Sequence, residues 1–382
     1  MRKILVFGMT ENPGGVESFL KNYYEHMNRE VLQLDFLCNS YNPIAYEDEF
    51  QAMGATMFHF PPRHSHPIGF RRELKKFFAA HAAEYSAIWV NVNSLANVDY
   101  LKLAKRYGIS RRIIHSHNAE HMDSGAVGKV RAVLHDLNRP KLARWATDFW
   151  ACSEGAADFF YEGAVDASGA SLRSKAVVIH NAIDVAALSC NEEARNRVRA
   201  KLGIPAGAKT LVIGNVGRLH FQKNQSFLLE IYACLRQERP DSLLVLVGQG
   251  EDEAMLRAKA ADLGITDSVY FAGVQSNIAD WFSAMDVYAM PSVFEGLPFV
   301  ALEAQANGLP TLLSTGISPA AKLTGHCEYL PTEEGAAAWS AKLLAMADRG
   351  REQDTAAIRE AFVKEGYEIT AAAKELEGRL YA

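Results

Sequence analysis

Apolar positions in this chain follow two rhythms: short continuous runs, and stretches in which they recur every third or fourth residue. The first run, residues 3–8, ends in glycine and predicts a strand covered on both faces, as in a parallel sheet. After the loop MTENPGG, Val16, Phe19, Leu20, Tyr23 and Met27 fall at helical spacing, with Glu17 in a first turn where the helix dipole favours negative charge. Further strands are expected at 32–38, 55–60, 87–92, 112–115, 148–151 and 176–180, with helical patterns such as 95–107 and 127–146 between most of them. This alternation predicts a doubly wound parallel sheet.

The pattern breaks over 184–196 into a short polar, Ala-rich stretch. It restarts with a helix ending near Gly203 and strands at 210–216, 243–247, 269–272, 287–290 and 311–313. The expected architecture is α/β, with two Rossmann-like domains facing a central cleft: residues 1–186, then 187–364. Residues 365–382 form a last helix, set off by a bend at Gly366, that packs elsewhere, crossing back to the first domain. In such sheets ligands bind beyond the carboxyl ends of the strands.

Composition narrows the function classes. A chain of 382 residues with 49% hydrophobic and 22% charged content has apolar mass for two cores. Its net charge of -5 argues against nucleic-acid binding as the main role. Five scattered cysteines, none at the two-residue spacing of a zinc or redox pair, suggest reduced thiols in the cytoplasm. No membrane-spanning run and no signal-peptide pattern are seen, so a cytoplasmic protein, at most peripheral on the inner membrane face, is expected.

The richest stretch is EGLPFVALE, residues 295–303, which follows an apolar strand and a Pro/Ser pair. Here a tight turn delivers the chain into a helix whose first free N–H groups suit an anion. Glu295 and Glu303 bracket that turn and suit hydroxyls rather than phosphate. In GRLHFQKN, Arg218 and Lys223 offer a planar fork and a point charge able to clamp a diphosphate and to stabilise it as a leaving group. The alternative is an ordinary solvated loop. GMTENPGGVE lacks the dinucleotide fingerprint, yet Gly14 and Gly15 before a helix admit a close phosphate approach or serve simply as a helix-start turn. GQG, with Gly248 and Gly250, reads as a turn. In HSHNAEH, the three histidines 115, 117 and 121 lack an evident further ligand. A single His117 bonding a sugar or acceptor hydroxyl is the more economical functional reading, with no metal, beside a purely structural role.

Phe70, Leu74, Phe77 and Phe78 form an apolar stripe, with Arg71, Arg72, Lys75 and Lys76 on the remaining face and Arg63 upstream. Two readings stand: docking on an anionic membrane surface, or the core face of a surface helix.

Taken together, GGVES, HSHN, ACSEGAADFF, VVIHNAID, GNVGRLHFQKN, LVGQGEDE and AMPSVFEGLPFVALEAQANGLP resemble glycosyltransferase family 4, retaining enzymes of the GT-B fold. The resemblance spans nearly the whole chain. It implies that Arg218 and Lys223 hold the diphosphate, Glu303 the ribose hydroxyls and Glu295 the donor sugar. The amides of Leu297, Pro298 and Phe299's turn would meet sugar and phosphate, and the backbone at Val274 the base. Gly14 and Gly15 would approach the diphosphate from the other domain, with His117 near the reacting sugar. It further implies a metal-independent transferase without a cofactor, acting on a nucleotide-sugar donor, UDP-linked in most relatives, and on a carbohydrate or lipid-linked acceptor in polysaccharide or glycolipid assembly. No residue is marked as a nucleophile, which favours a front-face path. The competing readings are a sugar-nucleotide epimerase of related fold, a non-catalytic glycosyltransferase-like subunit, and a nicotinamide-dependent dehydrogenase, which the missing fingerprint disfavours.

Overall fold

The computed structural model describes residues 1–63, 65–121 and 125–381, and for residue 126 the backbone alone. The described residues divide into two compact units, Met1–Ile183 with Ile369–Ala382, and Asp184–Glu368.

The first unit holds β1 (Arg2–Phe7), β2 (Leu32–Cys38), β3 (Met57–His59), β4 (Ala87–Val92), β5 (Arg111–Ser116), β6 (Asp148–Ala151) and β7 (Val177–Val178). They pair in parallel in the order β3-β2-β1-β4-β5-β6-β7. Alternate β1 side chains enter different cores: Leu5 joins one face, Ile4 and Val6 the other. Both faces are covered, which explains why these strands read as continuous apolar runs. The second unit repeats the plan with β8 (Leu211–Val216), β9 (Ser242–Val247), β10 (Val269–Gly273), β11 (Val287–Met290), β12 (Thr311–Ser314) and β13 (Cys327–Leu330). Its order is β10-β9-β8-β11-β12-β13, again parallel. Each sheet therefore reverses its winding direction at one point, between β1 and β4 and between β8 and β11, and such a switch point leaves a crevice outside the strand ends.

Several helices differ from their sequence outline. The pattern over 95–107 becomes a helix only at Asp99–Arg106, and 127–146 is the helix Gly125–Asn138 followed by a tighter 3-10 segment, Arg139–Arg144. Pro140 supplies no N–H, which is consistent with the α-helix ending just before it. The stretch after GQG enters the helix Glu253–Asp262. The C-terminal pattern is two helices, Thr355–Lys364 and Ile369–Tyr381, parted at Gly366, whose φ of 77° lies in the left-handed region.

The stripe Phe70, Leu74, Phe77 and Phe78 is buried in the first unit's core, on the helix Pro67–His81. This corrects the lipid reading of that helix: its apolar face is already covered by protein. Outside it, Arg71 lies 3.7 Å from Asp99 and Arg72 lies 3.8 Å from Glu73.

The last helix contributes Ile369, Ala373, Leu376 and Leu380 to the core that also holds Ile4 and Val6. It packs on the helix Gly15–His26, and Glu377 Oε2 accepts the N–H of Asn28 at 2.8 Å. Leu376→Ala is expected to cost the first unit about 2–5 kcal/mol, as for other buried leucines. Urea unfolding should show this as an early loss of the first unit's transition; an unchanged profile would mean that the last helix is not part of that core.

Candidate functional site

In the second unit the loops after β8 and β11 emerge side by side at the switch point, and they are laced together. The N–H of Val293 donates to the Gln222 carbonyl at 2.8 Å, and Gln222 Nε2 donates back to the Phe294 carbonyl at 3.0 Å. Asn224 adopts a left-handed φ of 55°, and its Nδ2 donates to the Pro291 carbonyl at 3.1 Å. Glu295 is fixed through its own backbone: its N–H donates to the Gly316 carbonyl and its carbonyl accepts from Ser318. This frame sets Lys223 Nζ 2.7 Å from Glu295 Oε1, with the two side chains only 17% and 13% exposed. A third loop leans on the frame at Gly248, where φ is 132° and an added Cβ would lie 2.0 Å from the Gly217 carbonyl oxygen. GQG is thus a close backbone crossing that a larger residue would push apart.

Arg218 is placed differently from its expected partner. Its backbone is held by Gln225, but the guanidinium is 69% exposed and faces Glu251, with Nε 3.0 Å from Oε2. His220 Nε2 lies 3.3 Å from the same carboxylate. An anion arriving at this loop would compete with Glu251 for both groups.

Leu297 and Phe299 are half-buried and Pro298 is buried, at the start of the helix Phe299–Ala306. No side chain caps that end, so its first N–H groups are left for a ligand or water. Glu303 lies in this helix, and burial pushes its carboxyl up to about 7. Burial also raises the Tyr288 phenol well above its ordinary range, and the Glu303 and Glu295 carboxylates add to this, placing all three in one electrostatic neighbourhood. Val274 is exposed, just past β10, where the Gly273 carbonyl accepts the N–H of Gly248.

The first unit gathers Gly14, Gly15 and His117 around a cavity of about 350 Å³, with Thr10, Asn12 and Asn181. A Cβ at Gly14 would meet only the carboxylate end of Glu17, 2.9 Å away, and one at Gly15 would meet open space, so the two glycines leave the backbone bare without being sterically required. Asn91 fixes the His117 ring. Asn91 Nδ2 donates to the Phe7 carbonyl, so its Oδ1 must accept from His117 Nε2 at 2.9 Å. Burial holds the imidazole down at about 3, so it is neutral at pH 7 and presents Nδ1 as an acceptor. A second cavity of about 550 Å³ shares Asn93 and Asn118 with the first and adds Arg63, Asn97, His121 and Arg131. The other two histidines have different settings: His115 is fully buried with its ring stacked on Trp89, and His121 packs on His135 and Phe159. Among the described residues no three His, Cys, Asp or Glu side chains are placed to hold a metal ion.

Gln222, Asn224 and Asn181 do not stand out in the sequence, and Glu17 does so only as a partner of the helix dipole. The first two occur inside GRLHFQKN, but nothing in their spacing reveals that they stitch two loops. Glu17, read as a dipole partner, is buried and accepts both the N–H and the hydroxyl of Thr10 at 2.8 Å, closing the Gly-rich loop. Asn181 Oδ1 is a buried acceptor without a partner at the first cavity. That is an unfilled valence of the kind a ligand hydroxyl satisfies.

A sequence model for glycosyl transferases group 1 matches residues 195–363. A Bacillus subtilis (strain 168) protein assigned provisionally as glycosyltransferase EpsF is 31% identical over 360 residues, 94% of this chain and 90% of that one. Among solved structures, Anabaena HepE in complex with UDP superposes with a TM-score of 0.70 at 19% identity, with full coverage of both chains. A glycosyltransferase from Rickettsia africae gives 0.74 at 12% identity, over 100% of this chain and 98% of that one. The fold class shared with these structures is GT-B.

The setting of Glu303 has a measurable consequence. Its folded-state pKa of about 7 lies above the reference 4.5, so the folded chain holds an extra proton between those values. Stability therefore falls as pH rises from about 4.5 through about 7, and the loss is complete above that. Glu303→Gln is expected to be more stable than the native chain near pH 8 by about 3 kcal/mol and equal to it near pH 4. Urea melts at the two pH values check this; a variant no more stable at pH 8 would show that the carboxylate is not penalised there.

Proposed function

This chain belongs to the glycosyl transferases group 1 family, and we propose that it moves a sugar from a UDP-sugar to a hydroxyl acceptor with retained anomeric configuration, in polysaccharide or glycolipid assembly. The observation that carries the proposal is the Lys223–Glu295 pair, a cation and a carboxylate held 2.7 Å apart on laced loops at a sheet switch point. A nucleotide sugar offers a partner to each: diphosphate oxygens for Lys223, sugar hydroxyls for Glu295. Arg218, exposed on the same loop, turns from Glu251 to the diphosphate. Glu303 accepts the ribose hydroxyls, which favours its charged form and offsets its burial. The turn at Leu297, Pro298 and Phe299 offers its free amides, and the backbone at Val274 meets the base. The UDP and UDP-glucose held by Anabaena HepE support a uridine donor.

We assign the first unit's cavities to hydroxyls, through the neutral His117, Asn181 and the amide-rich lining, with Gly14 admitting close backbone approach. In the transfer, the bond from the anomeric carbon to the diphosphate breaks as one forms to the acceptor oxygen on the same face. The acceptor proton passes to the departing phosphate oxygen, so glycoside and UDP are the products. A His117 held near pKa 3 is a weak base and a good hydrogen-bonding partner, which suits this path. Lys223 and Arg218 stabilise the charge that grows on the leaving group, without a metal ion.

Incubation with a panel of UDP-sugars tests the reading through UDP release, with and without added acceptor glycans and in the presence of chelator. Release from one donor, lowered about a hundredfold or more in Lys223→Met, is expected. Glu303→Ala should act mainly on KM and Glu295→Ala on turnover. Interconversion of donors without release would make the protein an epimerase, and a sugar trapped covalently on Glu295 would replace the front-face path.

A further inference from the structure

The helix Gly125–Asn138 is inverted relative to an ordinary surface helix. Its inward positions are Gly128, Ala132 and His135, small or polar, while Val127, Val130, Val133, Leu134 and Leu137 face outward and are 40–65% exposed. The inner face is committed to polar anchoring: His135 Nδ1 accepts the N–H of Leu95 at 3.1 Å, and Asn138 Nδ2 donates to the Leu95 carbonyl at 2.8 Å. At 100° per residue the outward five form one continuous stripe, with Lys129 along one border and Arg131 along the other. Burying Leu and Val is favourable, so a stripe left in water needs an occupant.

Charge identifies that occupant. Residues 125–144 carry five cations, Lys129, Arg131, Arg139, Lys141 and Arg144, against one carboxylate, Asp136, in a chain whose net charge is -5. Asp136 lies 3.5 Å from Arg139, so the single acidic group is already met from within the segment. An apolar stripe bordered by cations matches an anionic lipid surface, where side chains enter the acyl boundary and Lys and Arg remain among the headgroups. A second copy of this chain fits less well. Five Val and Leu side chains, 40–65% exposed, present less surface than the roughly 800 Å² per partner of a stable dimer. No helix among the described residues is long and apolar enough to cross a membrane, so contact through this segment is a surface attachment. Gly128 and Arg131 of the same helix also line the 550 Å³ cavity, which places the stripe beside a site open to solutes.

We infer that the outward face of Gly125–Asn138 docks this protein on anionic membrane surfaces. Co-sedimentation with vesicles of equal parts phosphatidylglycerol and phosphatidylcholine, against phosphatidylcholine alone, tests this without reference to activity. The full chain is expected to bind the anionic vesicles, less so at high salt, and to ignore the neutral ones. Val130→Asp with Leu137→Asp, and separately Lys129→Glu with Lys141→Glu, should each weaken binding about tenfold or more. Arg72→Glu with Lys76→Glu, on the helix whose apolar face is buried, should matter less. All these positions are exposed, and unchanged circular dichroism will show that the variants fold. Absence of anionic-vesicle binding, or binding indifferent to Val130→Asp with Leu137→Asp, overturns the inference. So does a dimer in analytical ultracentrifugation that this variant dissolves, since the stripe would then be a protein interface.

Discussion

The ion pair between Lys223 and Glu295 is the constraint on which the second unit's loops are arranged. Two opposite charges taken largely out of water cost solvation that their attraction only partly returns, so such a pair is weak as a stabilising device. It persists because the backbone around it is over-determined. Gln222 and Asn224 tie one loop to the other, Gly316 and Ser318 hold Glu295 from a third, and Gly248 lets a fourth pass at van der Waals distance. In a site for a charged ligand this is preorganisation: Glu295 serves as counter-ion to Lys223, the part that the diphosphate would take under the proposed function.

Environment separates the two carboxylates of EGLPFVALE. Glu295 has a cation at 2.7 Å, whereas Glu303 sits where burial alone acts and raises its pKa to about 7. The same residue type in one short motif is thereby given two electrostatic characters, one set by a neighbouring cation and one by burial. Hydroxyl donors from a ligand would relieve Glu303, and a polyanion would free Glu295 from Lys223. His117 in the first unit follows the same logic in reverse, since burial removes its charge and leaves a hydrogen-bonding ring.

Much of this was legible in the chain because it is local. Parallel strands covered on both faces must be apolar runs, and ligands of such sheets bind beyond the strand ends at a switch point, which is why Lys223, Glu295 and Glu303 stood out as candidates. What was illegible is decided by tertiary contacts. The stripes of Phe70, Leu74, Phe77 and Phe78 and of Val127, Val130, Leu134 and Leu137 look alike in sequence, yet one is core and the other faces solvent. The difference lies in His135 and Asn138, whose bonds to the Leu95 segment turn the second helix over. Arg218 and Lys223 looked equivalent by spacing, but a carboxylate on each side, Glu251 and Glu295, draws them to different partners.

If Glu295 and a diphosphate compete for Lys223, calorimetric titration of UDP into the native chain and into Glu295→Gln will show it. Removing the competing carboxylate should leave UDP affinity equal or raise it several-fold, while affinity for the intact UDP-sugar falls relative to UDP. Loss of UDP binding in Glu295→Gln, with the variant folded, would contradict the account and make Glu295 a contact of the nucleotide itself.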